Sequence, residues 1–314
     1  MEILRDGAAA PGALRSGALA IGNFDGVHQG HQAVIRAAVE WARARGAPAW
    51  IATFDPHPSR FFRPEAPPFA LTTLDQRLSL IAALGVDGAM VIPFTRELAA
   101  LSAEAFVDEW LMTRLGPAHV VTGADFSFGH RRSGNIETLK ALGERHGFTS
   151  RALVAVTDGD STVSSTRVRE ALVAGAPEVA ARLLTRPFTV QGEVLHGDKR
   201  GRTIGVPTAN LEMGDYVRPR FGVYTVRVRL PGGALLGGVA NLGIRPMFTP
   251  PKLLLETWIF DWQGDLYGQR IEVALLRFLR DEMRFDDLDG LKAQIAEDER
   301  AARAILDQAS TQSS

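Results

Sequence analysis

The chain has 314 residues, of which 46% are hydrophobic and 23% charged; these are ordinary globular proportions, and the length favours two domains over one. With 35 basic and 36 acidic residues the formal charge is −1, so no global positive field draws the protein onto nucleic acid or an anionic membrane. The absence of cysteine removes disulfides, thiolate metal sites and cysteine nucleophiles together, and fits a cytoplasmic location.

The first 17 residues are interrupted by Arg5, Asp6, Pro11 and Arg15, too polar for a signal-peptide core. No later run reaches the roughly 20 apolar residues of a membrane helix, so a soluble protein is expected. From Ala18 to about Thr185 short apolar runs alternate with helical patterns. ALAIGNF, AWIATF, AMVIPF and HVVTGADF read as buried strands; HQAVIRAAVEWARARG, LDQRLSLIAALG, AEAFVDEWLMTRLG and NIETLKALGERHG carry apolar residues at helical spacing. Strand–helix alternation predicts a parallel sheet with its ligand site at the carboxyl ends of the strands.

After Arg186 the texture changes to FTVQGEVLHG, GVYTVRVRL, ALLGGVANLG, LLLETWIFDW and QRIEVALLRFL, strand-like runs broken by Gly and Pro. That pattern predicts a small antiparallel barrel or sandwich, closed by a helix over LDGLKAQIAEDERAARAIL. The expected class is therefore α/β plus all-β, with domains at 1–185 and 186–314. Residues 186–250 hold 9 basic against 4 acidic side chains and residues 251–314 hold 8 against 13. The first of these stretches is basic enough for an anion site, or the two are solvated faces of opposite bias.

Two segments carry candidate chemistry. Gly22-Asn-Phe-Asp-Gly-Val-His-Gln-Gly-His31 leaves a strand and enters a helix. Gly22, Gly26 and Gly30 allow close backbone approach, the helix end offers unpaired N–H groups to phosphate, and His28 and His31 can project together from the first turn. The same histidines also read as helix caps or a chance pair, and a zinc site lacks a third ligand at helical spacing. TFDPHP, GADFSFG and Ser164-Ser-Thr-Arg-Val-Arg169 sit where an open sheet recruits ligands; the last reads either as a polyphosphate clamp or as an N-cap with surface arginines.

In the second half Gly197, Lys199, Arg200, Arg202 and Gly205 form a basic, glycine-rich loop running into Pro207-Thr-Ala-Asn210. The loop could cradle phosphate, with the Thr208 hydroxyl and Asn210 carboxamide as hard donors to Mg²⁺ or a nucleotide, or it is a barrel turn. Glu256 lies in the apolar strand LLLETWIF. Facing a packed interior it would need a partner or a job; in a one-sided strand it would simply point outward. Asp261 and Asp265 lie beyond it in the turn DWQGD and read as turn residues.

GNFDGVHQGH, TFDPHP, GADFSFG and SSTRVR, in that order, resemble the nucleotidyltransferase half of the bacterial bifunctional riboflavin kinase and FAD synthetase family. GDKRGRTIGVPTANL, FGVYTVRV, GVANLGIRP, LETWIFDWQGDLYG and LRDEMRF resemble its kinase half, and the likeness covers roughly residues 16 to 305. It implies a Rossmann-like nucleotidyltransferase domain followed by a small β-barrel with a C-terminal helix. The implied activities are phosphorylation of riboflavin to FMN and adenylylation of FMN to FAD, both with ATP and Mg²⁺. The implied partners are riboflavin, FMN and ATP, with no nucleic acid, membrane or obligate protein partner.

By that resemblance ATP is contacted in the first half by Gly22, Phe24, Asp25, His28, Gly30, His31, Ser164, Thr166 and Arg167, and in the second by Gly197, Arg200, Gly205, Thr208 and Asn210. Thr208 and Asn210 are the implied metal ligands. Flavin would lie near Phe54, Pro56, Asp125 and Phe128 in the first half and near Arg280, Glu282 and Phe285 in the second, with Glu256 activating the ribityl hydroxyl. Two positions depart from the family pattern: Val206 where Phe usually precedes Pro-Thr-Ala-Asn, and Met247 where Thr usually follows Arg-Pro. Pro250 and Pro251 also make the loop before Glu256 unusual.

Overall fold

The computed structural model describes residues 1–5, 8, 12, 17–196, 206–245 and 252–311. The chain forms two compact units, Met1–Pro67 with Thr73–Ser164, and Pro68–Thr72 with Ser165–Ser314.

The first unit is built on strands β1 (Glu2–Leu4), β2 (Ala18–Ile21), β3 (Ala49–Asp55), β4 (Gly88–Pro93), β5 (His119–Gly123) and β6 (Thr149–Leu153). Between them run helices α1 (Gln29–Arg43), α2 (Pro58–Phe62), α3 (Leu74–Ala82), α4 (Arg96–Ala100), α5 (Ala103–Phe106) and α6 (Ile136–His146). The strands pair in parallel in the order β1-β4-β3-β2-β5-β6. The sheet buries both faces. Leu19, Ile21, Trp50, Met90 and Ile92 point into one cluster, while Ala18, Ala20, Ile51, Ala89 and Val91 point into the other. This is why β2 to β5 read as continuous apolar runs rather than as alternating ones.

The sequence reading missed the two edge strands. Both β1 and β6 have a single neighbour and stay partly exposed, so neither needs an apolar run. The helix expected over Ala103–Gly116 is α5 followed by a π-helical stretch, Val107–Leu115, stopped by Gly116 at φ 56°. A short hairpin, β7 (Thr157–Asp158) with β8 (Ser161–Thr162), precedes the end of this unit.

The second unit starts with α7 (Ser165–Val173) and α8 (Pro177–Leu184). An antiparallel sheet follows, built from β9 (Phe188–Glu193), β10 (Thr208–Glu212), β11 (Gly222–Arg229), β12 (Leu235–Arg245), β13 (Lys252–Ile259) and β14 (Arg270–Arg280), then helix α9 (Leu288–Thr311). Strand order is β10-β13-β12-β11-β14-β9. The sheet curls into a half-barrel, and just past β9 the Leu195 N–H donates to Asn210 O at 2.9 Å. Leu211, Tyr224, Val226, Leu242, Leu255, Val273 and Leu275 are fully buried on its concave side. On the opposite face α9 lays Ala302 and Leu306 on Val223, Val239, Trp258 and Phe260. Strand β10 reads in sequence as the end of a loop because Thr-Ala-Asn follows Pro207 directly and offers no run of apolar residues. Pro68–Thr72 joins this unit through Ala70, whose N–H donates to Asp215 O at 2.9 Å and whose O accepts from Val217 N–H at 2.8 Å. Among the described residues no helix is long and apolar enough to cross a membrane.

Candidate active sites

In the first unit the order of strand addition reverses between the parallel strands β2 and β5, the place where an open parallel sheet binds its ligand. β2 ends at Ile21 and the next seven residues turn sharply into α1. Phe24 (φ 51°), Gly26 (φ 84°) and Val27 (φ 43°) are all left-handed. For the two non-glycine residues that conformation costs on the order of 1–3 kcal/mol each, and it persists only where the surroundings impose it. His28 caps α1, its Nδ1 accepting from His31 N–H at 3.4 Å. The two imidazoles stack at 3.6 Å between centroids, and Phe24 meets His31 edge-on at 5.5 Å. A Cβ at Gly30 would come within 3.2 Å of His28, and one at Gly22 within 3.1 Å of the Phe24 ring. A side chain at either position would crowd the ring it faces. Gly22, Phe24, Asp25, His28, Gly30 and His31 thus converge on one helix end, with Phe24, Asp25 and His28 buried.

A residue absent from the sequence reading underlies this turn. Arg77 of α3 is only 4% exposed. Its Nη1 donates to Asn23 O at 3.1 Å, Thr53 Oγ1 at 3.2 Å and Phe54 O at 3.4 Å. Burial pushes its guanidinium below the ordinary arginine pKa, and the charges of Asp25 and Asp55 pull it part of the way back. In sequence Arg77 is one polar position of an amphipathic helix; its bonds span 54 residues to Asn23, beyond any local signal.

Phe54 and Phe128 join one aromatic cluster. Phe54 meets Phe94 at 5.9 Å and Phe106 at 6.5 Å, and Phe106 meets Phe128 at 5.7 Å. Pro56 and Asp125 lie exposed beside the two ends of that cluster. Ser164 closes the first unit, following Val163, whose carbonyl faces Gly30. Thr166 and Arg167 belong to α7 of the second unit.

In the second unit, register creates the site. Asn210 of β10 pairs with Glu256 of β13, which pairs with Asn241 of β12, which pairs with Val223 of β11, which pairs with Arg280 of β14. Residues directly opposite one another share a face, so a carboxylate stands between two carboxamides. The Oδ1 atoms of Asn210 and Asn241 are both buried without a hydrogen-bond partner. Glu256 is half-buried on the helix-bearing face, while its neighbours Leu255 and Thr257 fill the concave interior. Thr208, two residues from Asn210, lies on the same face. Asn241 escaped the sequence reading because only strand pairing brings it to Glu256.

A Cβ at Gly243 would collide with the Glu282 carboxylate, so Glu282 lies over β12 two residues from Asn241. Arg280 is gripped by Asp298 of α9 through Nε at 2.9 Å and Nη2 at 2.6 Å. Phe285 is half-buried beyond it. Gly197, Arg200, Gly205 and Met247 fall outside the described residues, as do Pro250 and Pro251.

Comparison with known proteins agrees in both units. A family model described as FAD synthetase matches residues 11–167, and one described as riboflavin kinase matches residues 184–306. A bifunctional riboflavin kinase/FMN adenylyltransferase of Escherichia coli strain K12 is 41% identical over 288 residues, 92% of each chain. One of Haemophilus influenzae is 37% identical over 306 residues, 98% of this chain and 99% of that one. A solved structure from Streptococcus pneumoniae, described as a macrolide-efflux protein, superposes with a TM-score of 0.86 at 29% identity, covering 96% of this chain and 99% of that one.

Proposed function

The chain belongs to the bifunctional riboflavin kinase/FMN adenylyltransferase family, and from that premise we propose which of its residues carry each of the two reactions. It phosphorylates riboflavin to FMN with ATP and adenylylates FMN to FAD with ATP. We assign adenylyl transfer to residues 1–185 and the kinase to residues 186–314. Adenylyl transfer rests on the His28–His31 turn and the kinase on Glu256. The observation that carries this division is the contrast between stacked imidazoles at a helix end in one unit and a carboxylate between two unpartnered carboxamide oxygens in the other.

In adenylyl transfer an FMN phosphate oxygen attacks the α-phosphorus of ATP and pyrophosphate leaves. The nucleophile is already an anion, so no general base is needed. What helps is positive potential at the departing phosphates, which His28, His31 and the amino end of α1 supply. Ser164, Thr166 and Arg167 are assigned to the ATP phosphates, and Gly22, Phe24, Asp25 and Gly30 shape the His28–His31 turn. Phe54, Pro56, Asp125 and Phe128 are assigned to the flavin.

In the kinase the nucleophile is the 5′-hydroxyl of riboflavin, a neutral alcohol. Glu256 takes its proton as the oxygen attacks the γ-phosphorus and ADP leaves. Arg280, Glu282 and Phe285 are assigned to riboflavin, and Gly197, Arg200 and Gly205 to ATP phosphates. The residues present fit Mg²⁺: the Asn210 Oδ1 is a buried hard oxygen with no partner, and Thr208 adds a hydroxyl on the same face. Among the described residues no three His, Cys, Asp or Glu side chains gather into a metal site, so Thr208 and Asn210 would hold the ion together with the nucleotide. When bound, it would neutralise phosphate charge there. A near-neutral charge and the lack of cysteine support a cytoplasmic enzyme acting on small molecules, without nucleic-acid, membrane or obligate protein partners.

The test is incubation of the full chain with riboflavin, ATP and Mg²⁺, resolved by chromatography. FAD is expected, and the His28→Ala/His31→Ala variant should stop at FMN. FAD formation at the wild-type rate by that variant would remove adenylyl transfer from this turn.

A further inference from the structure

We propose that Arg77 is a positioning residue for adenylyl transfer, locking the phosphate-binding turn to the strand end that reads the flavin. The proposal rests on the assignment of the His28–His31 turn to ATP. Three observations carry it.

The first is the cost of its placement. Arg77 is 4% exposed and its Nε is buried without a hydrogen-bond partner. A helix residue selected only to fill the core would be apolar, because a buried guanidinium with an unmet donor is an expensive way to pack.

The second is what it holds. Asn23 O, at the entrance to the turn, receives Arg77 Nη1 at 3.1 Å and Thr53 Oγ1 at 3.0 Å, and Arg77 also reaches Phe54 O at 3.4 Å. One guanidinium therefore ties the loop after β2 to the end of β3. The exit of the turn is tied separately, Gln32 Nε2 donating to Val27 O at 2.9 Å. Between these two anchors lie the left-handed Phe24 and Val27, a conformation that relaxes unless both ends are fixed.

The third is what the turn carries. His28 caps α1, His31 stacks on it at 3.6 Å, and Phe24 abuts His31. Release of Asn23 would shift these rings together relative to Phe54, whose carbonyl shares the same guanidinium. Arg77 touches neither substrate in this reading. It fixes the distance between the group that holds ATP and the wall that holds FMN, and a shift of about 1 Å in such a spacing costs on the order of 10²-fold in rate.

The experiment uses full-length Arg77→Met, Arg77→Lys, Thr53→Val and His28→Ala, measuring kcat and KM for FMN adenylylation and, in the same preparations, riboflavin phosphorylation. Arg77→Met should lose about 10- to 100-fold in kcat for FAD formation, with KM for FMN within about twofold and phosphorylation at the wild-type rate. Arg77→Lys keeps the charge but replaces a planar fork by a point donor, so it should hold KM for ATP at the wild-type value and leave kcat low. Thr53→Val removes one of the two donors to Asn23 without changing charge, and should lower kcat by about 3- to 10-fold. If Arg77→Met fails to fold, Thr53→Val and Arg77→Lys decide by the same measure. Wild-type kcat in the folded Arg77 variants, or a loss confined to KM for ATP, would overturn positioning in favour of a charge effect or mere packing. His28→Ala separates the two claims. Its inactivity beside an active Arg77→Met overturns the role of Arg77, whereas its full activity overturns the assignment of the turn to ATP.

Discussion

Asn210→Leu should make the protein more stable and abolish the kinase. Asn210 is 5% exposed, its main-chain oxygen is already taken by Leu195 N–H, and its Oδ1 is buried with no partner. An unmet buried acceptor costs about 1–3 kcal/mol, and leucine fills nearly the same volume with apolar atoms. The substitution should therefore raise the unfolding free energy by about 1–3 kcal/mol. At about 2–4 °C per kcal/mol for a unit of this size, one calorimetric transition of the full chain should rise by roughly 4–8 °C at the middle of that range while any other stays in place. Riboflavin phosphorylation should fall by about 10²–10³, the scale of losing one preorganised electrostatic contact, with FAD formation from supplied FMN unchanged. Destabilisation by more than about 1 kcal/mol with the kinase retained would show that Asn210 serves the fold and that its oxygen holds no ligand.

Glu256→Gln keeps size but cannot accept a proton, so FMN formation should drop by about 10²–10⁴ while FMN is still converted to FAD. Asp261 is held by Arg303 at 2.8 Å and Asp265 accepts Tyr267 N–H at 3.0 Å, so both have structural work. A near-normal kinase in Glu256→Gln with loss in Asp265→Asn would reassign the base. Fragments 165–314 and 186–314 should both phosphorylate riboflavin, the longer being more stable. Leu183 and Leu184 of α8 are 0% and 1% exposed and pack toward β9 and β14, contributing about 1.5–3 kcal/mol each; equal urea midpoints would contradict this. His119 stacks on Trp41 at 4.8 Å and pairs with Thr149 Oγ1 at 2.7 Å. Burial first, then Arg45 and Arg151, hold its pKa below the ordinary imidazole value. The unfolded chain therefore binds the proton more readily, and stability should be complete above about pH 6.5 and decline as pH falls through it. His119→Gln should flatten that slope in urea unfolding between pH 8 and 5.5, and an unchanged slope would exclude His119 as its source.

What the sequence disclosed follows from the range of the interactions involved. Strands β2 to β5 announce themselves because both their faces are buried, whereas β1 and β6 have a free edge and could remain polar or short. His28 and His31 are visible because their pairing is made within one helical turn. Arg77 is invisible because the atoms it holds come from a loop and a strand encoded far away, and nothing in LDQRLSLIA distinguishes it from a solvated arginine. Glu256 shows the intermediate case. The apolar run around it fixed a strand but left its face open, and only the pairing with Asn210 and Asn241 put it on the helix-bearing side.

On the assignments proposed above, the two units differ because their nucleophiles differ by one proton. A phosphate monoester arrives at adenylyl transfer already charged, so a carboxylate base beside it would only repel it. The His28–His31 turn accordingly offers imidazoles and backbone N–H groups, and the nearby acid Asp25 is buried within reach of the Arg77 charge. Riboflavin brings an alcohol that must lose a proton, so a base is needed although ATP is itself an anion. The sheet meets that conflict by surrounding one carboxylate with oxygen donors that are neutral: Asn210 and Asn241 flank Glu256, and Thr208 follows on the same face. Aspartates there would accept the same bonds but add negative charge against the triphosphate. Neutral carboxamides leave their oxygens for a cation or a substrate hydroxyl, and neither oxygen has a hydrogen-bond partner in the protein itself.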